Sequence, residues 1–157
     1  MTVPTPMSRV DIATLIPHGA AMCLLARMDA WDERQIACAA TNHRDTNHPL
    51  RTRSGLMASC AIEYAAQAMA LHGALVGRAL GTAASPGYLA SARGVTLHRW
   101  RLDDLPLAPD ARDELCIRAE RQAGDERQVL YTFTVSHAGL CIAQGRAAIV
   151  LNATAPS

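Results

Sequence analysis

Glu63 is the one charged residue in a stretch of apolar and small residues that runs from Gly55 to Gly77. Ser59, Glu63 and Gln67 follow at intervals of four residues, so on a helix they form a narrow polar stripe. Desolvation of a carboxyl group raises its pKa and favours the protonated form, which can act as a general acid near neutral pH. Glu63 is therefore a candidate general acid, with Ser59 and Gln67 as supporting residues. The structural alternative is a glutamate at a helix edge that accepts backbone hydrogen bonds.

His48 is the candidate for a general base. It lies fifteen residues before Glu63, in a loop that must return to the start of the same helix. Because an imidazole titrates near neutral pH, it can remove a proton from a substrate. His43 shares the loop and remains an alternative. The other histidines have structural interpretations, with a capping role for His18, the far side of the helix for His72, and surface positions for His98 and His137.

The composition indicates an aliphatic core and little net charge. Half of the 157 residues are hydrophobic, but only one Phe, two Trp and three Tyr are present. The net charge of +1 argues against nucleic acid and anionic membranes as partners. Five cysteines without a C-x-x-C pair favour reduced core thiols in a cytoplasmic protein. The N-terminal segment lacks the apolar run of a signal peptide, and the polar residues of the long helix argue against a membrane span.

The apolar periodicity predicts a single α+β domain over residues 1–157, with a flexible tail at 1–7. Ser8 and Pro17 mark the two ends of a short helix. The predicted elements, in chain order, are a helix at 8–16, strands at 22–31 and 35–42, a loop at 43–54, a helix at 56–80, a linker at 81–87, and strands at 88–101, 113–122, 127–136 and 140–151. This order predicts one antiparallel sheet that wraps closely around the long helix, whose many small residues permit the approach.

No motif indicates a metal or a bound cofactor. The histidines have no Cys or Asp partners at the spacing of a zinc site. Ser59 and Cys60 lie in the predicted helix without the sharp turn of a nucleophile elbow. Neither a Gly-rich phosphate loop nor a dinucleotide fingerprint occurs. We therefore expect chemistry that depends on side chains and backbone groups alone.

Several segments, in order along the chain, resemble the 3-hydroxyacyl-ACP dehydratases. They are Leu15–His18 followed by Leu24–Arg27, then Asn47–Leu50, Ile62–Gln67 and Gly87–Ala90. The first is similar to the Leu-Pro-His turn and strand that open this family's hotdog fold, and Asn47–Leu50 to its Gly-His-Phe-Pro loop. Ile62–Gln67 is similar to the Glu-Ala-Met-Ala-Gln core of its central helix, and Gly87–Ala90 to the start of its third strand. The resemblance covers residues 9–151, and within the family it is strongest to the FabZ-like branch associated with aryl polyene and related polyketide pathways.

The resemblance implies a hotdog fold and dehydration of a carrier-bound 3-hydroxyacyl thioester to the trans-2-enoyl thioester in fatty acid or polyketide synthesis. His48 would remove the Cα proton, and Glu63 from the other chain of a homodimer would protonate the leaving hydroxyl. Backbone N–H groups of Gly55, Leu56 and Met57, at the helix N-terminus, would stabilise the negative charge on the thioester oxygen.

This chain departs from the family's pattern beside the histidine. Asn47 and Pro49 replace the family's Gly and Phe, and Ser54 replaces the Pro that precedes the helix. These changes leave the loop conformation and the shape of the substrate open. Two other functions therefore also stay open: a hotdog acyl thioesterase, and a non-catalytic hotdog subunit that supports an active dehydratase.

The implied partners are an acyl carrier protein or CoA thioester and further hotdog subunits. Because carrier proteins are acidic, Arg44, Arg51 and Arg53, beside the His48 loop, are candidate carrier-binding residues. An ordinary solvated face is the alternative. A long apolar helix covered by one sheet leaves surface for a second copy, so we expect a homodimer, a higher oligomer or a hetero-oligomer with another hotdog subunit.

Overall fold

One antiparallel sheet curves around one long helix in the computed structural model, which describes residues 6–81 and 87–151. The elements are β1 (Met7–Ser8), α1 (Arg9–Leu15), β2 (Arg27–Trp31), β3 (Gln35–Ala40), a 3-10 turn (Ala58–Cys60) that leads into α2 (Ala61–Ala79), β4 (Gly87–Leu97), β5 (Leu115–Gly124), β6 (Gln128–His137) and β7 (Leu140–Leu151). Among the described residues the strand order is β1-β2-β3-β5-β6-β7-β4, and every neighbouring pair is antiparallel. The predicted α+β architecture is confirmed.

The helix α2 forms the centre of the core. Its small residues Ala61, Ala65 and Ala68 are fully buried, so the helix backbone lies close to the sheet. The larger Tyr64 and Leu71 fill the space between the two layers. Within the described residues, no helix is long and apolar enough to cross a membrane.

The strands β5 and β6 show the alternation that made them recognisable in the sequence. Leu115 and Ile117 in β5, and Phe133 and Val135 in β6, are buried and face the helix, while the residues between them are more exposed. The prediction for β7, 140–151, coincides with the observed strand. Period-two patterning with one buried face therefore located these strands correctly.

Two strand boundaries differ from the prediction by four or five residues, because side chains and neighbouring segments take the backbone hydrogen bonds. The strand predicted from residue 22 begins at Arg27, since the Leu24 N–H donates to the side chain of Gln67 at 2.8 Å. The strand predicted to reach residue 101 ends at Leu97. Beyond it, the Trp100 carbonyl accepts the Ala58 N–H at 2.9 Å, so the chain pairs with the entry to α2 and not with β7.

The N-terminal prediction was correct for the helix and wrong at two residues. Helix α1 follows Ser8 as predicted, but the Ser8 hydroxyl donates to Asp11 Oδ2 at 3.1 Å and caps no backbone N–H. Met7, predicted to lie in the tail, pairs with Met28 in the sheet. Residues 1–5 of that tail and residues 82–86 of the predicted linker lie outside the described residues.

The cysteines are less uniform than expected. Cys23 and Cys38 are buried, Cys60 and Cys141 are half-buried, and Cys116 is exposed; none of the five forms a disulfide. Burial raises the pKa of the Cys38 thiol to about 12. The interpretation as reduced core thiols therefore holds for the first pair and not for Cys116.

Gly55 is required by the turn that leads into α2. Its φ of +101° lies in the region that favours glycine, and a Cβ there would lie 2.6 Å from Asp103 Oδ2 and 2.7 Å from Arg101 Nη2. We expect Gly55→Ala to lower the free energy of unfolding by about 1–3 kcal/mol, measured by urea unfolding. Gly73→Ala is the matched control, because a Cβ at this helical position meets nothing within 4 Å. It should leave stability unchanged or raise it by about 0.5–1 kcal/mol. Equal effects of the two changes on stability would contradict the requirement for glycine at position 55.

Candidate active site

Glu63 lies in the first turn of α2, where solvent reaches it. Its side chain is 34% exposed, and its Oε1 lies 3.1 Å from His18 Nε2. The expectation of a carboxyl group buried among apolar side chains is therefore wrong for the single protomer. The structure instead places Glu63 at the positive end of the helix dipole, beside one imidazole.

His18 reaches Glu63 because the turn that carries it is fixed to α2. Gln67 is fully buried one helical turn beyond Glu63, where its Nε2 donates to the Met22 carbonyl at 2.7 Å. Its Oε1 accepts the Leu24 N–H at 2.8 Å. His18 thus packs against α2 and does not have the capping role that its position after a helix suggested. The three residues of the predicted polar stripe do not share one environment, since Ser59 is exposed and Gln67 is buried.

His48 is buried and belongs to a second polar cluster. Its Nδ1 accepts the Leu50 N–H at 3.0 Å, and its Nε2 lies 2.8 Å from the Tyr64 hydroxyl. The Tyr64 hydroxyl donates to Asn42 Oδ1 at 2.6 Å. Because Nδ1 accepts, this network assigns the proton of neutral His48 to Nε2. Desolvation lowers the pKa of His48, so the ring is neutral at pH 7.

The protomer does not pair His48 with Glu63 through any described hydrogen bond or ion pair. Glu63 and Tyr64 are successive residues on α2, so their side chains point about 100° apart around the helix axis. The structure brings Glu63 to His18 and His48 to Tyr64. Sequence reasoning missed both pairings, although a tyrosine in an apolar helix was a signal, since a buried hydroxyl usually finds a partner.

The backbone donors predicted at the helix entry are not equivalent. The Gly55 N–H donates to the Thr52 carbonyl at 3.0 Å and is occupied. Met57 forms an antiparallel bridge with Arg101, in which the flanking Ala58 N–H and Leu56 carbonyl make the hydrogen bonds. In such a pair the central residue's own N–H points to the other side. The Leu56 N–H is occupied by the Asp103 carboxylate, so of the predicted three only Met57 has an N–H without a partner among the described residues.

Two of the three candidate carrier-binding arginines are engaged inside the protomer. Arg44 donates to Asp113 Oδ2 at 2.7 Å and to the carbonyls of Asp103 and Leu105. Arg51 lies 3.3 Å from the buried Asp103 carboxylate. Hydrogen bonds from Arg101 lower the pKa of Asp103 to about 2. Arg53 is exposed, and it is the one whose position suits a partner.

His43 and His137 share one carboxylate oxygen. Their Nε2 atoms lie 2.7 Å and 3.0 Å from Asp113 Oδ1, and both rings are buried, so the surface position expected for His137 is wrong. Although burial opposes it, hydrogen bonds from Arg44, His137 and His43 hold the pKa of Asp113 well below its usual range. Desolvation lowers the pKa of His43.

His43, Asp113 and His137 are the one group of potential metal ligands among the described residues, but their separations are those of hydrogen bonds. Arg44 occupies the second oxygen of Asp113. The buried Nδ1 of His43 has no hydrogen-bond partner in the described part of the chain, whereas a metal-bound histidine normally donates its other N–H. The trio therefore fits an anchor that ties the His43 loop to β5 and β6. His43 is held in this anchor, and no described hydrogen bond or ion pair joins it to Glu63.

An antiparallel sheet wrapped around a long central helix is the hotdog fold, and solved structures agree. The dehydratase heterocomplex ApeI:P from Xenorhabdus doucetiae matches with a TM-score of 0.76 and 23% identity over 91% of each chain. A hypothetical thioesterase with coenzyme A from Streptococcus pneumoniae matches with a TM-score of 0.53 and 9% identity, over 80% of this chain and 84% of that one. AziG from S. sahachiroi matches with a TM-score of 0.52 and 14% identity, over 79% and 88%.

The family model of the ApeP-like proteins, described as ApeP dehydratase, matches residues 10–156. The chain therefore belongs to the ApeP-like dehydratase family and is a dehydratase, as its resemblance to 3-hydroxyacyl-ACP dehydratases predicted. No curated protein sequence matches it.

The neutral state of His48 makes a prediction about stability and pH. Because the folded-state pKa is lowered, the unfolded chain binds more protons below about pH 6.5. The stability from neutral His48 is thus present above that pH and is lost as the pH falls through the folded-state pKa. His43 and His72 act in the same direction, since desolvation lowers their pKa as well.

We expect His48→Asn to make this loss less steep. Asparagine is chosen as the replacement because its side-chain oxygen can still accept the Leu50 N–H while it cannot titrate. The dependence of the unfolding free energy on pH between pH 6.5 and pH 5 should become less steep. The decrease in slope should be at most about 1.4 kcal/mol per pH unit, which corresponds to one proton. Urea unfolding at stepped pH measures it, and an unchanged slope would contradict the assignment.

Proposed function

We propose that this dehydratase removes water from a 3-hydroxyacyl thioester on an acyl carrier protein and releases the trans-2-enoyl thioester, in fatty acid or aryl-polyene-like polyketide synthesis. The observation that supports the proposal best is the accessible Glu63 carboxyl group on the first turn of α2, with an imidazole 3.1 Å away. A substrate can reach this group, and the family membership supplies the reaction type.

The reaction divides into two proton transfers. A base removes a proton from Cα, the electron pair forms the Cα–Cβ double bond, and the Cβ–oxygen bond breaks. Glu63 protonates the departing hydroxyl, so that water leaves. Charge that develops on the thioester oxygen is stabilised by the Met57 N–H and by the N-terminus of α2.

His48 is our candidate base, and its position requires a second subunit. In one protomer it contacts Tyr64 on the inner side of α2, while Glu63 lies on the solvent side. A complete site therefore combines His48 of one subunit with the acid of another. For Nε2 to accept a proton, the Leu50 N–H must leave Nδ1 so that the ring proton can move there. We assign this change to the closing of the site around substrate.

The edge strand β4 is the surface on which we place the second hotdog subunit. It ends the described sheet, and its large residues Tyr88, Leu89 and Leu97 are exposed. Trp100, just beyond the strand and beside the entry to α2, is 91% exposed. An unpaired edge with exposed apolar side chains is suited to strand addition. The solved relative from X. doucetiae is a heterocomplex, which supports a hetero-oligomer as the alternative to a homodimer for this chain.

Product analysis tests the function directly. With a 3-hydroxyacyl carrier thioester, the wild-type assembly should give loss of one water without release of thiol. Release of free thiol would favour a hotdog thioesterase, the function suggested by the thioesterase with the same fold. No turnover alone, with activity recovered only beside a second hotdog subunit that is itself active, would favour a non-catalytic role.

We expect Glu63→Gln and His48→Asn each to lower kcat by about 10²–10⁴-fold, because each removes one proton-transferring group. Near-normal turnover of Glu63→Gln would overturn its assignment as the acid. Co-expression of the two variants separates the possible assemblies. Partial recovery of activity indicates a site shared between two copies of this chain, and no recovery assigns the other half-site to a different subunit.

Carrier recognition is tested at Arg53. Charge reversal in Arg53→Glu should raise KM for the carrier-bound substrate by roughly threefold or more at low ionic strength, with a smaller effect at high salt, since exposed charges are screened. Arg34→Glu is the matched control, because Arg34 is also exposed but lies in the turn between β2 and β3, beside the C-terminal end of α2. Equal effects of the two reversals, or no salt dependence, would count against a carrier surface at Arg53.

A further inference from the structure

We propose that His18 is a positioning residue for Glu63. In this assignment the His18 imidazole, whose Nε2 lies 3.1 Å from Glu63 Oε1, holds the carboxyl group in one orientation and leaves Oε2 for the leaving hydroxyl of the substrate. The proposal rests on the proposed function, in which Glu63 is the general acid.

The His18 ring has a fixed place relative to α2. The turn from Pro17 to Met22 is held at its far end by Gln67, whose buried amide binds the Met22 carbonyl. At its near end Ile16 is buried, and Arg9 Nη2 donates to the Ala20 carbonyl at 3.4 Å. Because both ends of the turn are tied to the core or to α1, the 3.1 Å separation of His18 and Glu63 is set by the fold.

The second nitrogen of His18 indicates which atom carries the proton. His18 Nδ1 is buried and has no hydrogen-bond partner among the described residues. A buried N–H without an acceptor is rarer than a buried acceptor without a donor. The ring therefore keeps its proton on Nε2, which faces Glu63 Oε1 at 3.1 Å. A fixed donor toward one carboxyl oxygen leaves the other oxygen to act on the substrate.

The pair is poorly placed to serve stability. Both side chains are partly exposed, 25% for His18 and 34% for Glu63, and exposed ion pairs contribute about 0–1 kcal/mol to folding. By contrast, the buried histidines His43, His48 and His72 each bind a tyrosine hydroxyl, a carboxylate or a carbonyl in the core. Loss of the His18 side chain should therefore change the orientation of Glu63 more than it changes the stability of the fold.

The test is a double-mutant cycle on the full chain in its active assembly. His18→Ala should lower kcat by about 10–100-fold with little change in KM, since a misplaced acid affects chemistry more than binding. In the Glu63→Gln background the same change should cost less than about threefold, because His18 acts only through Glu63. His18→Gln should recover most of the wild-type kcat, since its amide nitrogen can reach the position of Nε2, whereas His18→Asn should not.

The outcomes separate this proposal from the function. If the wild-type assembly releases no water, the proposed function fails. If the wild type is active and Glu63→Gln is not, but His18→Ala keeps near-wild-type kcat, the positioning role is overturned. It is also overturned if His18→Ala costs the same factor in both backgrounds, or if Gln and Asn at this position behave alike. Should His18→Ala fail to fold, judged by thermal unfolding, the Gln and Asn variants still decide.

Discussion

The buried amide of Gln67 is the constraint on which the N-terminal third of the molecule depends. Both of its polar atoms bind the backbone between Met22 and Leu24. A buried amide left without partners costs about 1–3 kcal/mol per group, so the segment and the helix must meet in this register. The point where β2 begins and the place of the turn that carries His18 both follow from it. The hydrogen bonds of Gln67 thus set the geometry around the Glu63 carboxyl group, one helical turn away.

The sequence predicted the architecture well because its apolar pattern has one consistent buried face. Strand β7 was located to the residue, and the long helix to within a few residues of α2. The short gaps predicted between strands, at residues 32–34 and 123–126, are turns in which the side chains of Asp32 and Asp125 each accept two backbone N–H bonds. Such hydrogen bonds join residues close in sequence, so they can be predicted without knowledge of the fold. The early end of β4 was not predicted, because its cause is the pairing of Trp100 with Ala58, far away in sequence.

Side-chain partnerships were harder to predict than elements. The sequence placed His137 at the surface and gave no sign that it is buried at the end of β6, since its partner Asp113 lies in a separate loop. The same carboxylate binds His43 and Arg44, so four groups from three regions form one cluster. Glu63 was found because a charge in an apolar stretch is conspicuous, but its exposure depends on how the turn before β2 packs. The residue types indicated which chemistry is available. Which side chains contact each other was determined by the tertiary fold.

The shape of the β4 backbone has a consequence for the choice of subunit. Its register against β7 shifts twice, between Leu89 and Ser91 and between Arg93 and Thr96. Bulges of this kind bend a strand and increase its twist, so a flat strand cannot follow this edge over its whole length. Any chain that joins here must carry matching irregularities in its own backbone. The backbone shape of β4 can therefore select which subunit pairs with this edge, independently of the side chains on either strand.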